Sequence, residues 1–319
     1  MKLTYAGLAA ILSATGAMAD DQIVVVNKGD DTISILDASS YESEGQVGVG
    51  ANPHEVFVSP DGQTAYVSDY GSAQGSTISV VDLDSAIRTD VWDLGGNRGP
   101  HGIWVSPDGA HVWATTETSG TVVELSTTTG EITNVWETGQ RVSHQLVPTP
   151  DGTKLYIANI SSGTVTVIDR TTNDVTTVRT GGGPEGIDVS PDGMEVWVTN
   201  RVENTISIID VATDSVLQSL DAGGTMPIRA KFTPDGSEVY ISNATSNQVA
   251  VFDVAARQLV AKIDVGAVPV GILISPEGDR AFIANTQDDF VTVIDTATRE
   301  VIDQIPTGDE PDGLAWASR

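Results

Sequence analysis

The sequence has 319 residues, no cysteine, and 44 acidic against 16 basic side chains, for a formal charge of −28. Without thiols there is no disulfide, no thiolate metal site, no cysteine nucleophile and no attachment of c-type haem. So acidic a surface repels nucleic acid and anionic lipid, which argues against both as partners.

In chain order, residues 1–19 read as a Sec-type signal peptide. Lys2 supplies a positive start, Leu3 to Ala14 is mostly apolar, and Ala17-Met18-Ala19 is a small-x-small cleavage site. The apolar run is too short to span a bilayer, and no later one approaches that length, so no membrane insertion is expected. The mature chain, residues 20–319, is expected in the periplasm or secreted. It carries −29 once Lys2 is lost, 15 basic minus 44 acidic residues.

From there the chain repeats. Ser-Pro-Asp-Gly occurs at 59–62, 106–109 and 190–193, with variants at 149–152, 233–236 and 275–278. Pro presets φ for a turn, and Asp-Gly accepts the left-handed backbone that closes a hairpin. After each turn comes a short β-patterned strand, usually ending in Asn or Asp, as in Tyr66–Asp69, Tyr156–Asn159, Trp197–Asn200, Tyr240–Asn243 and Phe282–Asn285; Trp113–Thr116 is the exception. A third strand ends at Asp37, Asp82, Asp169, Asp210, Asp253 or Asp295, where a carboxylate caps the next turn. Four short strands in about 42 residues make a propeller blade. The chain opens partway through a repeat and closes with Pro311–Trp316, which matches only an innermost strand. The expected fold is therefore an all-β, seven-bladed β-propeller of four-stranded antiparallel blades. It forms one domain over 20–319, a monomer whose C-terminal strand joins the N-terminal strands and removes the free sheet edge.

Function hangs on one register of this repeat. Six residues before each turn proline stand His54, His101, His144, Glu185, Ile228 and Val270, and Asp312 holds the matching place in the last strand. Repeats sharing a backbone bring such residues together at one mouth of the channel. Two and four residues further on the positions are apolar (Val56 and Val58, Ile103 and Val105, Ile187 and Val189), so the polar mouth position is an exception to packing. Three imidazoles and a carboxylate suit Zn²⁺, Mn²⁺, Fe²⁺ or Cu²⁺, and three histidines with an open position are a catalytic pattern. The candidate ligands are His54, His101, His144 and Glu185, with His101, His144 and Glu185 as candidate catalytic groups. Without metal, a histidine and Glu185 form an acid–base pair. Repeated Pro-His segments bonded to loop carbonyls would explain the pattern without any function.

Tyr70, Glu117 and Arg201 follow their strand ends on the same face, and Gly71–Gly75 enlarge the first of these turns into a wall or lid. Arg98, Arg141 and Arg229 stand beside the mouth positions and would hold an anionic ligand, although a solvated or internally paired side chain explains any one of them. His111 lies outside the register and reads as surface.

The strand endings, nearest to Tyr-Val-Thr-Asn at Trp197–Asn200, resemble those of the YVTN β-propeller family across residues 22–319. More distantly, the chain is similar to lactonase-type propellers and to the haem d1 domain of nitrite reductase. Pro100-His101-Gly102 resembles segments of streptogramin lyases, whose catalytic histidine and metal-binding acid lie at the channel mouth, although their Trp-Phe-Thr-Glu strand endings are missing here. The last resemblance implies the place of a site, not its substrate; with the site residues above, the expectation is an exported propeller that binds a small anionic organic ligand at a His-rich mouth, with metal-assisted lyase or hydrolase chemistry such as lactone opening. The alternatives are a non-catalytic propeller binding a protein or the cell surface by its top face, and a haem d1- or copper-type redox propeller.

Overall fold

A computed structural model describes residues 21–319, so the expected signal peptide lies outside the described residues. Twenty-eight strands, β1 to β28 in chain order, form seven four-stranded antiparallel sheets. Inner strands β4 (Pro53–Val58), β8 (Pro100–Val105), β12 (Ser143–Pro148), β16 (Pro184–Val189), β20 (Pro227–Phe232) and β24 (Pro269–Ile274) each begin a blade, numbered here 2 to 7. Blade 1 is closed as expected: β28 (Pro311–Ala317) pairs with β1 (Gln22–Asn27), matching Ile23 to Trp316 and Val25 to Leu314. Each inner strand touches the inner strands of both neighbouring blades, so the ring is continuous. Among the described residues, no helix is long and apolar enough to cross a membrane.

Burial follows radial position. Second and third strands are buried on both faces because each blade packs between two others, and only the outermost strands are largely exposed. The aromatic residues of the recurring second strand (Tyr66, Trp113, Tyr156, Trp197, Tyr240 and Phe282) are the large buried groups between blades. Each contributes about 1.5–3 kcal/mol of burial, in a chain with no covalent cross-link.

The polar punctuation also has physical work. Gly62 has φ +73°, and Asp61 Oδ1 accepts the Ser59 hydroxyl and the Gln63 N–H, so the Pro-Asp-Gly turn fixes itself locally. Asp82, Asp169, Asp210 and Asp295 cap their turns as expected. The strand-ending Asn or Asp is buried and ties its blade together. Asn159 and Asn200 donate to the hydroxyls of Thr166 and Ser207, and Asp69 accepts from Ser79 and from the Gly50 N–H. In the exceptional blade 3, Thr116 bonds to Thr121 instead.

Candidate functional site

The mouth residues are the second residues of the inner strands, where the register is irregular. In blades 2, 3, 4, 5 and 7 one extra residue stands between the first and fourth positions, and blades 6 and 1 carry related shifts. A bulge sets two residues against one and re-aims a side chain. In blade 2 His54 consequently meets the neighbouring blade, its Nδ1 3.1 Å from Asp312, and Glu55 pairs with Arg229 across the ring.

The three histidines do converge. Ring centres of His54 and His101 are 4.6 Å apart, and those of His101 and His144 3.7 Å apart. Tyr70, from the enlarged turn, packs 4.5 Å from His54 and donates its hydroxyl to Glu117 at 2.7 Å. The other Glu117 oxygen bonds His144 Nδ1. On the far side of that imidazole, Nε2 is 3.5 Å from Glu185, which accepts from Arg201 at 2.8 Å. A chain of contacts therefore runs from Asp312 through the three histidines to Arg201, across blades 1 to 5.

The histidines differ electrostatically. Burial, then the charges of His144 and His54, holds His101 well below the usual range, so it is neutral; among the described residues its buried Nδ1 has no partner. Burial alone would lower His144 too, but hydrogen bonds and charge from Glu117 and Glu185 outweigh it and raise it to about 9. Burial opposes ionisation of Glu117 and Glu185, yet His144 holds both below the ordinary carboxylate value.

A second layer lies one residue deeper. Glu55, Gln145 and Arg229, from blades 2, 4 and 6, meet across the axis: Gln145 donates to Glu55 at 2.7 Å, and Arg229 reaches both Glu55 and, at 3.7 Å, Asp312. The matching positions in the other blades are Gly102, Gly186, Gly271 and Gly313. A Cβ at Gly102 would stand 2.6 Å from the His144 carbonyl oxygen, and one at Gly271 2.0 Å from that of Asp312. These glycines let adjoining inner strands approach closely.

Of the residues singled out from sequence, His54, His101, His144, Glu185, Tyr70, Glu117 and Arg201 are brought together. Arg229 belongs to the deeper layer. Arg98 and Arg141 are exposed and donate to the carbonyls of Gln74 and Ser161, bracing turns instead of joining the histidines. His111 is half-buried beside Glu124. The sequence reading missed Lys28, which follows Asn27 as Tyr70 follows Asp69 and pairs with Glu310 at 3.5 Å. It also missed Glu55 and Gln145, whose direction depends on the bulge.

Among the described residues one group offers metal-ligand atoms mutually within 4.8 Å: His101, Glu117 and His144. Two imidazoles and a carboxylate suit a divalent transition cation, and the unpartnered His101 Nδ1 fits that use. This set includes Glu117, which was assigned from sequence to ligand binding. His54 and Glu185 have their own partners in Asp312 and Arg201.

The Glu117–His144 pair should be visible as pH-dependent stability in chelator-treated protein. Because His144 rises from 6.5 to about 9 on folding, its contribution of roughly 3 kcal/mol is complete below the unfolded value and lost as pH rises through the folded one. Glu117 is lowered on folding, so its contribution is lost on the acid side. Melting temperature against pH should lose its alkaline decline in His144→Gln; an unchanged profile would dissolve the assignment.

The chain matches the family described as "Lactonase, 7-bladed beta-propeller" over residues 25–258 and 144–301. No curated protein matches it. Among solved structures, Kuenenia stuttgartiensis hydrazine synthase is similar, with a TM-score of 0.78 and 22% identity over 86% of this chain and 92% of that one. A functionally unknown protein from Desulfotomaculum acetoxidans DSM 771 gives 0.81 at 15% identity, covering 94% and 99%. Both likenesses concern the fold alone.

Proposed function

The chain belongs to the lactonase family of seven-bladed β-propellers, and on that premise we propose that it binds a small anionic ester of the lactone type at the histidine mouth and opens it hydrolytically with a divalent cation. The YVTN type of repeat and a periplasmic or secreted location are part of this reading. Its main support is the neutral, buried His101, grouped with Glu117 and His144 and carrying a buried ring nitrogen without a partner among the described residues. His101, Glu117 and His144 hold the cation, which when bound polarises an ester carbonyl. Glu185, 3.5 Å from His144 Nε2, takes a proton from the water that adds to the acyl carbon and returns it to the alkoxide released as the ring C–O bond breaks. Arg201 and Lys28, the basic residues of the upper turns, orient the substrate's carboxylate, and the Tyr70 turn walls the site.

The direct Glu117–His144 and Glu185–Arg201 contacts favour a second reading, a mouth that binds its ligand without chemistry. The two separate in tag-free protein, stripped with chelator and titrated with Zn²⁺ or Mn²⁺ by calorimetry, then offered a lactone panel in a pH-stat. One cation should bind per chain, Glu117→Gln should weaken it at least about tenfold, and hydrolysis should follow occupancy. Cation binding indifferent to both Glu117→Gln and His101→Ala would reject the metal site. Loaded protein that leaves every lactone intact would favour the non-catalytic reading, and a Soret band on purification a redox one.

A further inference from the structure

Against the Glu55–Gln145–Arg229 crossing lies a chamber of about 260 Å³, also lined by Phe57, Trp104, Asp188, Lys231, Leu273 and Trp316. It adjoins a cavity of about 340 Å³ at the opposite mouth, which shares Trp104, Asp188 and Lys231 and is bordered by the turn prolines Pro107, Pro150, Pro191 and Pro234. None of the histidines lines either cavity.

The chamber has an aromatic wall and more hydrogen-bond donors than its acids engage. Phe57 and Trp104 rings lie 4.4 Å apart at 34°, both partly exposed to the channel. Lys231 Nζ stands 5.1 Å from the Trp104 ring centre and 3.5 Å from Asp188. One oxygen of each acid is engaged: Asp188 Oδ2 takes the Phe232 N–H at 3.0 Å as well as facing Lys231, and Glu55 Oε1 takes both Gln145 and Arg229. The donors keep spare hydrogens. Lys231 has three hydrogens and one distant carboxylate, and among the described residues Arg229 meets carboxylates only through Nη2. Arg229 and Lys231 stand two apart on β20 and line the same chamber. What is missing is an acceptor-rich anion attached to a flat ring.

We infer that this chamber binds a small aromatic carboxylate, its ring on Trp104 and Phe57 and its carboxylate on Lys231 and Arg229. A cavity of about 150 Å³ holds benzene, so the chamber takes one ring and its acid group. No histidine lines the site, which does not rest on the hydrolytic reading.

Benzoate is the probe, titrated calorimetrically into the full chain. Binding should saturate at one site, weaken about tenfold in Lys231→Met, weaken in Trp104→Leu, and be unchanged in His101→Ala. In the wild type, benzoate ring protons should give a nuclear Overhauser effect to the Trp104 indole, identified by its loss in Trp104→Phe; this arm stands even where Lys231→Met does not fold. The inference is overturned if benzoate does not saturate, if Lys231→Met binds as wild type, if His101→Ala abolishes binding, if the Trp104 contact is missing, or if benzylamine binds in preference.

Discussion

A chain ending at Glu310 should not form a stable ring. The segment it lacks, β28, supplies the innermost ladder of blade 1 and covers β1 along its length. It also contacts the inner strands of blades 7 and 2. Its removal exposes the backbone edge of β1 and opens the apolar surface around Ile23, Val25 and Phe282. The expected loss is comparable with the roughly 5–15 kcal/mol that holds a folded domain together, and no disulfide limits it. Soluble yield, near-ultraviolet circular dichroism and protease resistance should all collapse. The missing segment is also expected to work from the other end. The Arg319 N–H and the Trp316 indole both donate to Asp21, at 2.9 and 3.0 Å, so the end of β28 lies beside the start of β1. Moving residues 311–319 ahead of Asp21 through a short turn should restore folding. A truncated chain that melts like the full one would show that closure by this strand is dispensable.

Arg229→Met should be the most damaging single substitution on the axis, costing about 3–5 kcal/mol in chemical denaturation. Arg229, Glu55 and Asp312 have side chains 11%, 12% and 5% exposed, so removing the guanidinium leaves two acids with little water to replace it. Burial already pushes Glu55 up, against the pull of Arg229, and without that cation it must take up a proton to stay inside. A carboxyl whose pKa is raised by folding subtracts stability as pH rises above its unfolded value. The deficit should therefore be larger at neutral than at mildly acidic pH. Arg229→Met with Glu55→Met should recover much of it, since an apolar pair replaces a buried ionic one with little penalty. A loss below about 1 kcal/mol in the single variant would mean that water reaches these acids freely.

The blades were legible because their signals are local. A Pro-Asp-Gly turn fixes its own hydrogen bonds, and the Asn or Asp of the second strand binds within its own blade. Counting from the turn proline then placed His54, His101, His144 and Glu185 at one level, and counting from the strand end placed Tyr70 and Glu117 above them. Glu55 and Gln145 were illegible for the converse reason. A strand's period of two assigns them to the face opposite His54 and His144, and the bulge that turns them inward has no residue signature of its own. Arg98 and Arg141 misled because nearness in sequence to a histidine says nothing of direction, and both side chains follow the turns beside them. Lys28 could have been found by extending to the first, incomplete repeat the rule that found Tyr70.

The glycines of the deeper layer have a mechanical consequence. Three long side chains and four glycines share seven places, and a ring with an odd number of members cannot alternate throughout. The alternation fails between blades 7 and 1, where Gly271 and Gly313 are neighbours. No long side chain in this layer spans from either of those blades, and Arg229 reaches blade 1 only through Asp312. This joint also adjoins the non-covalent seam of β28 and β1. The deeper layer is thus bridged as a horseshoe is, by long side chains along its arc and by none at one gap, where close backbone approach takes their place, and His101, Glu117 and His144 sit on the bridged arc away from it.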